Sequence, residues 1–136
     1  MLKNKVSSEK TTKNTTLEMI GLTRSSSQEV ADGFGGGMGS MGETCGAVTG
    51  AFMVIGLKHG RTVVKDRSAH RKTNSLINDF VRLFKYRNES IVCRELLGYD
   101  ISIPEGLNSA REKKLFTTVC PKYVQDAVEI IEQILE

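Results

Sequence analysis

Apolar residues at helical spacing limit what this chain can fold into. Four of them in residues 66–88 recur at positions i, i+3, i+4 and i+7, as in an amphipathic helix: Ile77, Phe80, Val81 and Phe84. A second such face follows Pro121, a residue suited to the first turn of a helix. Its members are Val124, Ala127, Val128, Ile131, Ile134 and Leu135. No segment alternates apolar and polar residues as a half-buried strand does. The sequence therefore predicts an all-α fold, a compact bundle of about five or six helices.

The first quarter of the chain is predicted to contribute only weak or short helices. Residues 1–16 are polar and threonine-rich, which favours a weakly structured segment. Residues 17–22 are typical of a helix end, with Gly21 as the C-cap. One of the serines at 25–27 is then predicted to cap a short helix through Ala31. The length of 136 residues suits a single domain, 1–136.

A further short helix and a loop are predicted between the two long amphipathic segments. Ser90 is placed to cap a helix through Leu97, which Gly98 ends. Residues 99–108 contain a proline and a glycine and are predicted to form a loop.

A glycine-rich run precedes the predicted central helix. It reads Gly33-Phe34-Gly35-Gly36-Gly37-Met38-Gly39 and is a loop by its composition. Ser40 and Glu43 follow with the S-x-x-E spacing of a capping box. The sequence therefore predicts a helix that begins at Ser40 and runs to His59, with Gly60 ending it.

Three glycines within that helix recur every fourth residue and so share one stripe of its surface: Gly42, Gly46 and Gly50. A glycine inside a helix costs about 0.5–1 kcal/mol relative to alanine. Close approach of another backbone, in the same chain or in a homo-oligomer, or of a bound group would offset that cost. The glycine run could also cradle a phosphate. It lacks the Gly-Lys-Ser/Thr ending of a P-loop and follows no predicted strand, so a tight turn with close helix packing is favoured.

The three cysteines share one local setting, because each falls at or near a predicted helix start. Cys45 lies about one turn into the central helix, Cys93 at the N3 position after Ser90, and Cys120 at the N-cap before Pro121. The unpaired N–H groups and the dipole of a helix start favour a thiolate, which is the nucleophilic and metal-binding form. The effect is expected to be largest at Cys120 and Cys93. The alternative is that the cysteines simply fill space in the core.

The run from Gly33 to Gly60, which contains Cys45-Gly46-Ala47-Val48-Thr49-Gly50, resembles the C-GCAxxG-C-C family of redox-active proteins, whose members carry a CGAxxG core. The segments from Ser90 to Gly98 and at Cys120-Pro121 are similar to the third and fourth cysteine sites of that family. The resemblance covers roughly residues 30 to 136.

The resemblance implies a small protein with four cysteines and redox activity carried by them. This chain has three cysteines, and by spacing Ser7, or next Ser8, stands where the family has its first. A serine cannot form a disulfide and is a poor ligand for soft metals. The resemblance therefore implies either that three thiols suffice in this chain or that its redox function is impaired.

Thiol–disulfide chemistry at Cys45, Cys93 and Cys120 is the first hypothesis, because the resemblance implies redox activity and the cysteines lie near helix starts. No two of the cysteines have C-x-x-C spacing, so the sequence carries no strong signal for a metal site or for a thioredoxin-like site. Metal or iron–sulfur binding by the same three thiols is the alternative, with the fourth position supplied by solvent, by a histidine (His59 or His70) or by a partner chain. A third hypothesis is a non-catalytic binding module with a degenerate redox site. The sequence does not name a cofactor, a metal, or which two cysteines would pair.

Composition and charge limit the partners. The net charge of +3 is small, and the basic residues between 58 and 72 have few aromatic neighbours. A solvated helix face is therefore favoured over nucleic-acid binding for this set: Lys58, Arg61, Lys65, Arg67, Arg71 and Lys72, interrupted by Asp66. The sequence shows no leader pattern and no membrane-length apolar stretch, so we expect a cytoplasmic protein that meets a redox partner or a small ligand.

Overall fold

The computed structural model describes residues 24–135, and its regular secondary structure there is helical, so the predicted all-α class is confirmed. Residues 1–23, which include the predicted weak segment and the predicted helix end at Gly21, lie outside the described residues. The helices are α1 (Arg24–Ala31), α2 (Gly46–His59), α3 (Arg67–Asn88), α4 (Cys93–Leu97), α5 (Pro104–Glu112), α6 (Leu115–Thr118) and α7 (Cys120–Ile134), and a 3₁₀ turn, Asp32–Phe34, follows α1. No helix within residues 24–135 is both long and apolar enough to cross a membrane.

The main core lies where α2, α3 and α7 pack against one another. The apolar faces predicted on α3 and α7 point into it, and α2 adds four buried residues: Val48, Ala51, Val54 and Ile55. Phe80 is fully buried, with its ring 6.2 Å from that of Phe52 and 5.8 Å from that of Phe84. These three helices form the rigid part of the molecule, because aromatic and branched side chains interlock at its centre.

A second, smaller cluster lies beside the main core and is built by α4, α5 and α6. Its buried members are Cys93, Leu97, Ile101 and Ala110, and the partly buried side chains packed on it are Leu107, Leu115, Phe116 and Cys120. The loop predicted at 99–108 is wrong in its second half, because α5 begins at Pro104. Proline is tolerated at the first position of a helix, where no backbone N–H bond is required. Gly106 is buried, and a side chain there would overlap the carbonyl group of Asp100.

Most predicted helix ends are confirmed, but several predicted starts are wrong. The central helix ends at His59 before Gly60, and Gly98 ends α4 with φ +77°. The serines at 25–27 lie inside α1 and do not cap it. Ser90 does not cap α4, whose N-cap is Val92. The Ser90 hydroxyl instead accepts a hydrogen bond from the Val92 N–H at 2.9 Å.

Candidate three-cysteine site

The glycine-rich run forms a left-handed turn. Five consecutive residues, 36–40, have positive φ values: +61° at Gly36, +71° at Gly37, +69° at Met38, +60° at Gly39 and +60° at Ser40. Such a conformation costs about 1–2 kcal/mol for each residue that carries a Cβ, so three glycines among the five remove much of the cost. Two backbone bonds close the turn, from the Gly42 N–H to the Gly36 carbonyl at 3.1 Å and from the Glu43 N–H to the Gly37 carbonyl at 2.9 Å.

The predicted capping box of Ser40 and Glu43 is therefore wrong. Ser40 is left-handed and lies before the helix, and the Glu43 carboxylate instead binds the guanidinium group of Arg94 at 3.1 Å. The N-cap of the central helix is Cys45, five residues after the predicted cap at Ser40, so the helix begins at Gly46 and Gly42 is not part of it. A Cβ atom added at Gly50 would meet no heavy atom within 4 Å, so the close approach expected along the glycine stripe is not seen there.

A short backbone pairing joins the end of the glycine turn to the start of α4. Thr44 and Val92 form an isolated antiparallel bridge. The Cys45 N–H donates to the Ile91 carbonyl at 2.8 Å, and the Cys93 N–H donates to the Glu43 carbonyl at 2.5 Å. Side chains alternate between the two faces of such a pairing, so Cys45 and Cys93 share the face opposite Thr44 and Val92. They are diagonal neighbours, for which the usual Cα separation is about 7–8 Å.

All three cysteines lie at helix starts, as the sequence predicts, but at shifted positions. Cys45 is the N-cap of α2 and not one turn inside it, Cys93 is the first residue of α4 and not its third, and Cys120 is the first residue of α7 and not its N-cap. These shifts change the expected order in which the helix starts stabilise the three thiolates. Cys45 and Cys120 begin helices of 14 and 15 residues, whereas Cys93 begins one of 5 residues, whose dipole is small.

The three cysteines line one cavity of about 100 Å³, whose other walls come from the glycine turn and from α2, α4, α6 and α7. Cys93 is buried with 8% of its surface exposed, while Cys45 and Cys120 are half-buried. The lining residues carry no charged side chain: Gly35, Gly36, Gly37, Cys45, Gly46, Ala47, Cys93, Leu97, Phe116, Cys120, Pro121 and Val124. A thiolate here would therefore draw its stabilisation from backbone N–H groups and helix ends.

Gly37 and Tyr123 complete the surroundings of the cysteines. A Cβ atom at Gly37 would lie 2.7 Å from the Cβ atom of Cys93 and 2.6 Å from the Glu43 nitrogen, so only glycine fits against the buried thiol. The Tyr123 hydroxyl donates to the Leu96 carbonyl at 2.9 Å. Burial raises the pKa of Tyr123, and negative charge at Cys120, Cys45, Asp126 and Cys93 raises it further. Tyr123 thus stays a neutral phenol.

No sequence pattern singled out Gly37, Phe116 or Tyr123 for this site. Tyr123 follows Cys120 by three residues, so helical spacing could have placed it on the same face. Nothing in the sequence shows that Gly37, among many glycines, is the one beside Cys93, because that contact depends on the pairing of distant segments.

The comparisons with known proteins bear on this arrangement. The family model described as "Putative redox-active protein (C_GCAxxG_C_C)" matches residues 9–134. The chain belongs to this family. This match begins about twenty residues before the resemblance described above, which covers roughly residues 30 to 136. Comparison with curated proteins and with solved structures gave no match.

The C-GCAxxG-C-C pattern names four cysteines, and this chain has three. Ser7 and Ser8, predicted to stand in place of the first, lie outside the described residues and before the start of the family match. Their correspondence to the missing cysteine stays a prediction.

The other candidate residues of the sequence lie away from the cavity. His59 is at the end of α2 and is half-buried, and His70 is exposed, 3.4 Å from the side-chain nitrogen of Asn74. Among residues 24–135 no group of three or more His, Cys, Asp or Glu side chains is placed to hold a metal ion. The basic side chains between 61 and 72 are solvent-exposed.

Proposed function

We propose that this protein performs reversible thiol–disulfide exchange within the three-cysteine cavity. The observation that carries the proposal is that the only cysteines of the chain, which lie far apart in the sequence, line one small cavity. The redox-active description of the family supports it. The two half-buried thiols at the starts of long helices are the ones an incoming molecule can reach, and the helix ends favour their thiolate forms.

The reaction balances as a two-electron exchange. A cysteine thiolate attacks one sulfur of a disulfide RSSR, the S–S bond of RSSR breaks, and one RS⁻ leaves as the mixed disulfide Cys-S-SR forms. A second cysteine thiolate then attacks the protein sulfur and expels the other RS⁻. The protein loses two protons and two electrons, and RSSR becomes two RSH. The third cysteine is left as a thiol.

The partner we propose is a disulfide or thiol small enough to enter the cavity, or one at the surface of a protein that reaches Cys45 or Cys120. The cytoplasm is the compartment that suits this chemistry, because thiols there are held reduced and disulfides form only transiently. That this protein forms a homo-oligomer through the glycine stripe of the central helix stays a prediction.

Equilibration with mixtures of reduced and oxidised dithiothreitol tests the proposal. We expect two of the three thiols per chain to be lost together, with a midpoint inside or near the cytosolic range of about −320 to −220 mV. The thiols are counted after acid quenching and alkylation under denaturing conditions. Three thiols that stay reduced across that range contradict the proposal.

A matched reference thiol is available in the same chain. Val64 is 80% exposed and lies far from the cysteines in the fold, at the turn between α2 and α3. Val64→Cys in a variant whose three natural cysteines are serine gives a surface thiol, and its basic neighbours Arg61 and Lys65 make it a stringent reference because they favour its thiolate. We expect Cys45 and Cys120 to react with iodoacetamide faster than this reference at pH 6, because a larger fraction of each is thiolate.

Metal or iron–sulfur binding through the same thiols is the alternative hypothesis. It predicts metal in stoichiometric amount in protein purified anaerobically without a histidine tag or chelator. It also predicts that loss of any one cysteine releases the metal, whereas thiol–disulfide exchange survives the loss of a cysteine that is not one of the reacting pair.

A further inference from the structure

We propose that Cys93 is the shared sulfur of the redox couple, which pairs with Cys45 on one side and with Cys120 on the other. This rests on the thiol–disulfide exchange proposed above and assigns a different part to each cysteine. The reduced site is then a row of three thiols with the buried one in the middle.

The link between Cys93 and Cys45 is the backbone pairing around Thr44 and Val92. The hydrogen bonds at 2.8 and 2.5 Å on either side of the bridge hold the two cysteines on one face of the pairing. A disulfide usually joins Cα atoms about 4.4–6.8 Å apart, and diagonal neighbours in such a pairing usually lie about 7–8 Å apart, so a bond between Cys45 and Cys93 needs only a small shift of the backbone to close. A small shift of this kind suits a bond that forms and breaks reversibly.

The link between Cys93 and Cys120 is the second hydrophobic cluster. Cys93 is one of its buried members, and Cys120 packs against it from the start of α7. Cys45 packs instead against the main core. Cys45 thus approaches Cys93 from the main core and Cys120 approaches it from the second cluster, and all three line the cavity.

The helix ends give the two outer cysteines a property that Cys93 lacks. Cys45 and Cys120 start helices of 14 and 15 residues, so their thiolates are stabilised as attacking and leaving groups. Cys93 starts a single helical turn and is buried, which favours the neutral or disulfide-bonded form of its sulfur. Within an already formed disulfide the central sulfur is therefore the one that is attacked, and the outer sulfurs attack and leave. In the first oxidation Cys93 instead resolves the mixed disulfide that forms on Cys45 or Cys120.

An internal exchange step follows, and it balances without any co-reactant. The Cys120 thiolate attacks the Cys93 sulfur of a Cys45–Cys93 disulfide, the Cys45–Cys93 bond breaks, and Cys45 leaves as a thiolate. One S–S bond is made and one is broken, so no electrons enter or leave the protein. Oxidising equivalents received at one side of the cavity are in this way passed to the other.

Disulfide mapping of variants that each lack one of the three cysteines tests this assignment. Reduced wild-type protein and the variants Cys45→Ser, Cys93→Ser and Cys120→Ser are each oxidised with the disulfide of 2-mercaptoethanol, trapped by alkylation and mapped by mass spectrometry. We expect Cys45→Ser to form a Cys93–Cys120 disulfide and Cys120→Ser to form a Cys45–Cys93 disulfide. Cys93→Ser is expected to stop at mixed disulfides on Cys45 and Cys120, with at least a tenfold loss of intramolecular disulfide.

The outcomes separate this inference from the proposed function. If Cys93→Ser forms a Cys45–Cys120 disulfide as readily as wild type forms its own, Cys93 is not the shared sulfur, although thiol–disulfide exchange stands. If either of the other two variants forms no disulfide, the row of three is overturned. If wild type itself forms none, the proposed function has failed.

A folding control keeps the result interpretable, because Cys93 is buried. Cys93→Ala is oxidised in parallel with Cys93→Ser, and both are compared with wild type by far-UV circular dichroism and urea unfolding. A mapped Cys45–Cys120 disulfide in a Cys93 variant that keeps the native helix content overturns the inference. Mixed disulfides alone in such a variant support it.

Discussion

At the scale of single residues, the approach of the glycine turn to the buried thiol depends on Gly37. This glycine is buried, has φ +71°, and faces the Cβ atom of Cys93 and the backbone of Glu43. Any side chain would carry both a conformational cost and an overlap with backbone atoms that cannot move aside. Gly50 differs, because it is helical and a Cβ atom there would meet no heavy atom within 4 Å.

These two glycines predict opposite effects of the same substitution. Gly37→Ala should lower the free energy of unfolding by at least about 2 kcal/mol, since the left-handed conformation alone costs an alanine about 1–2 kcal/mol. Gly50→Ala should raise it by about 0.5–1 kcal/mol, because alanine is the better helix former. Urea unfolding of the reduced proteins measures both. A Gly37→Ala protein as stable as wild type would mean that the turn does not press on Cys93 as described.

At the scale of the elements, a nearly buried carboxylate joins α3 to α7. Asp126 is 9% exposed and accepts hydrogen bonds from Lys122 at 2.8 Å and from Arg87 at 3.2 Å. Burial by itself would raise the pKa of Asp126. Hydrogen bonds from Lys122 and Asn88, and the positive charge of Lys122, outweigh burial and hold that pKa below its ordinary value. The carboxylate form therefore contributes to packing of the two helices.

The lowered pKa of Asp126 gives a pH dependence with a definite sign. The stabilisation is present above the ordinary aspartate pKa of about 3.9 and is lost as pH falls through the lower folded-state value. Asp126→Asn should cost about 1–3 kcal/mol at pH 7, and its disadvantage should shrink below pH 4. Urea unfolding between pH 7 and pH 2.5 measures this. Asp79→Asn is the control, because its partner Arg82 is 3.8 Å away and exposed, so it should change stability by less than about 0.5 kcal/mol at any pH. If the free energies of unfolding of Asp126→Asn and wild type differ by the same amount at every pH, the ionised Asp126 carboxylate does not stabilise the fold in this way.

At the scale of the whole molecule, the cavity lies between a three-helix core and a smaller cluster. The two meet through the bridge of Thr44 with Val92 and through the start of α7, where Cys120 packs. The proposed disulfide from Cys93 to Cys45 would tie the smaller cluster to the main core, and one to Cys120 would tie α4 to α7. Under this proposal, oxidation changes how firmly the two parts are held together.

We expect the oxidised protein to be more stable than the reduced protein, by less than about 4 kcal/mol. That limit is the chain-entropy gain for closing the loop 45–93 or 93–120, and a shift of the backbone to form the bond reduces it. Urea unfolding of both forms without added thiol gives the difference, and Cys93→Ser should show none. An oxidised form less stable than the reduced one would show that the cavity cannot take up a disulfide without loss of packing.

The sequence by itself determined those features that depend on neighbours along the chain. Helical periodicity identified α3 and α7 and the all-α class, and glycines located the ends at His59 and Leu97. The three cysteines lie at helix starts as predicted, but the caps predicted at Ser40 and Ser90 were wrong, because the caps are Cys45 and Val92. A capping pattern marks a residue that can cap a helix, and contacts with distant segments decide whether it does.

Only the tertiary structure decided what distant segments do to one another. Ser40 and Glu43 have the spacing of a capping box, yet Glu43 pairs with Arg94 and the glycines take a left-handed path that no local pattern announces. The cavity depends on the pairing of Thr44 with Val92 and on the packing of Cys120 against the second cluster. Three thiols thus became one site through long-range hydrogen bonds and burial, which the order of residues along the chain does not encode locally.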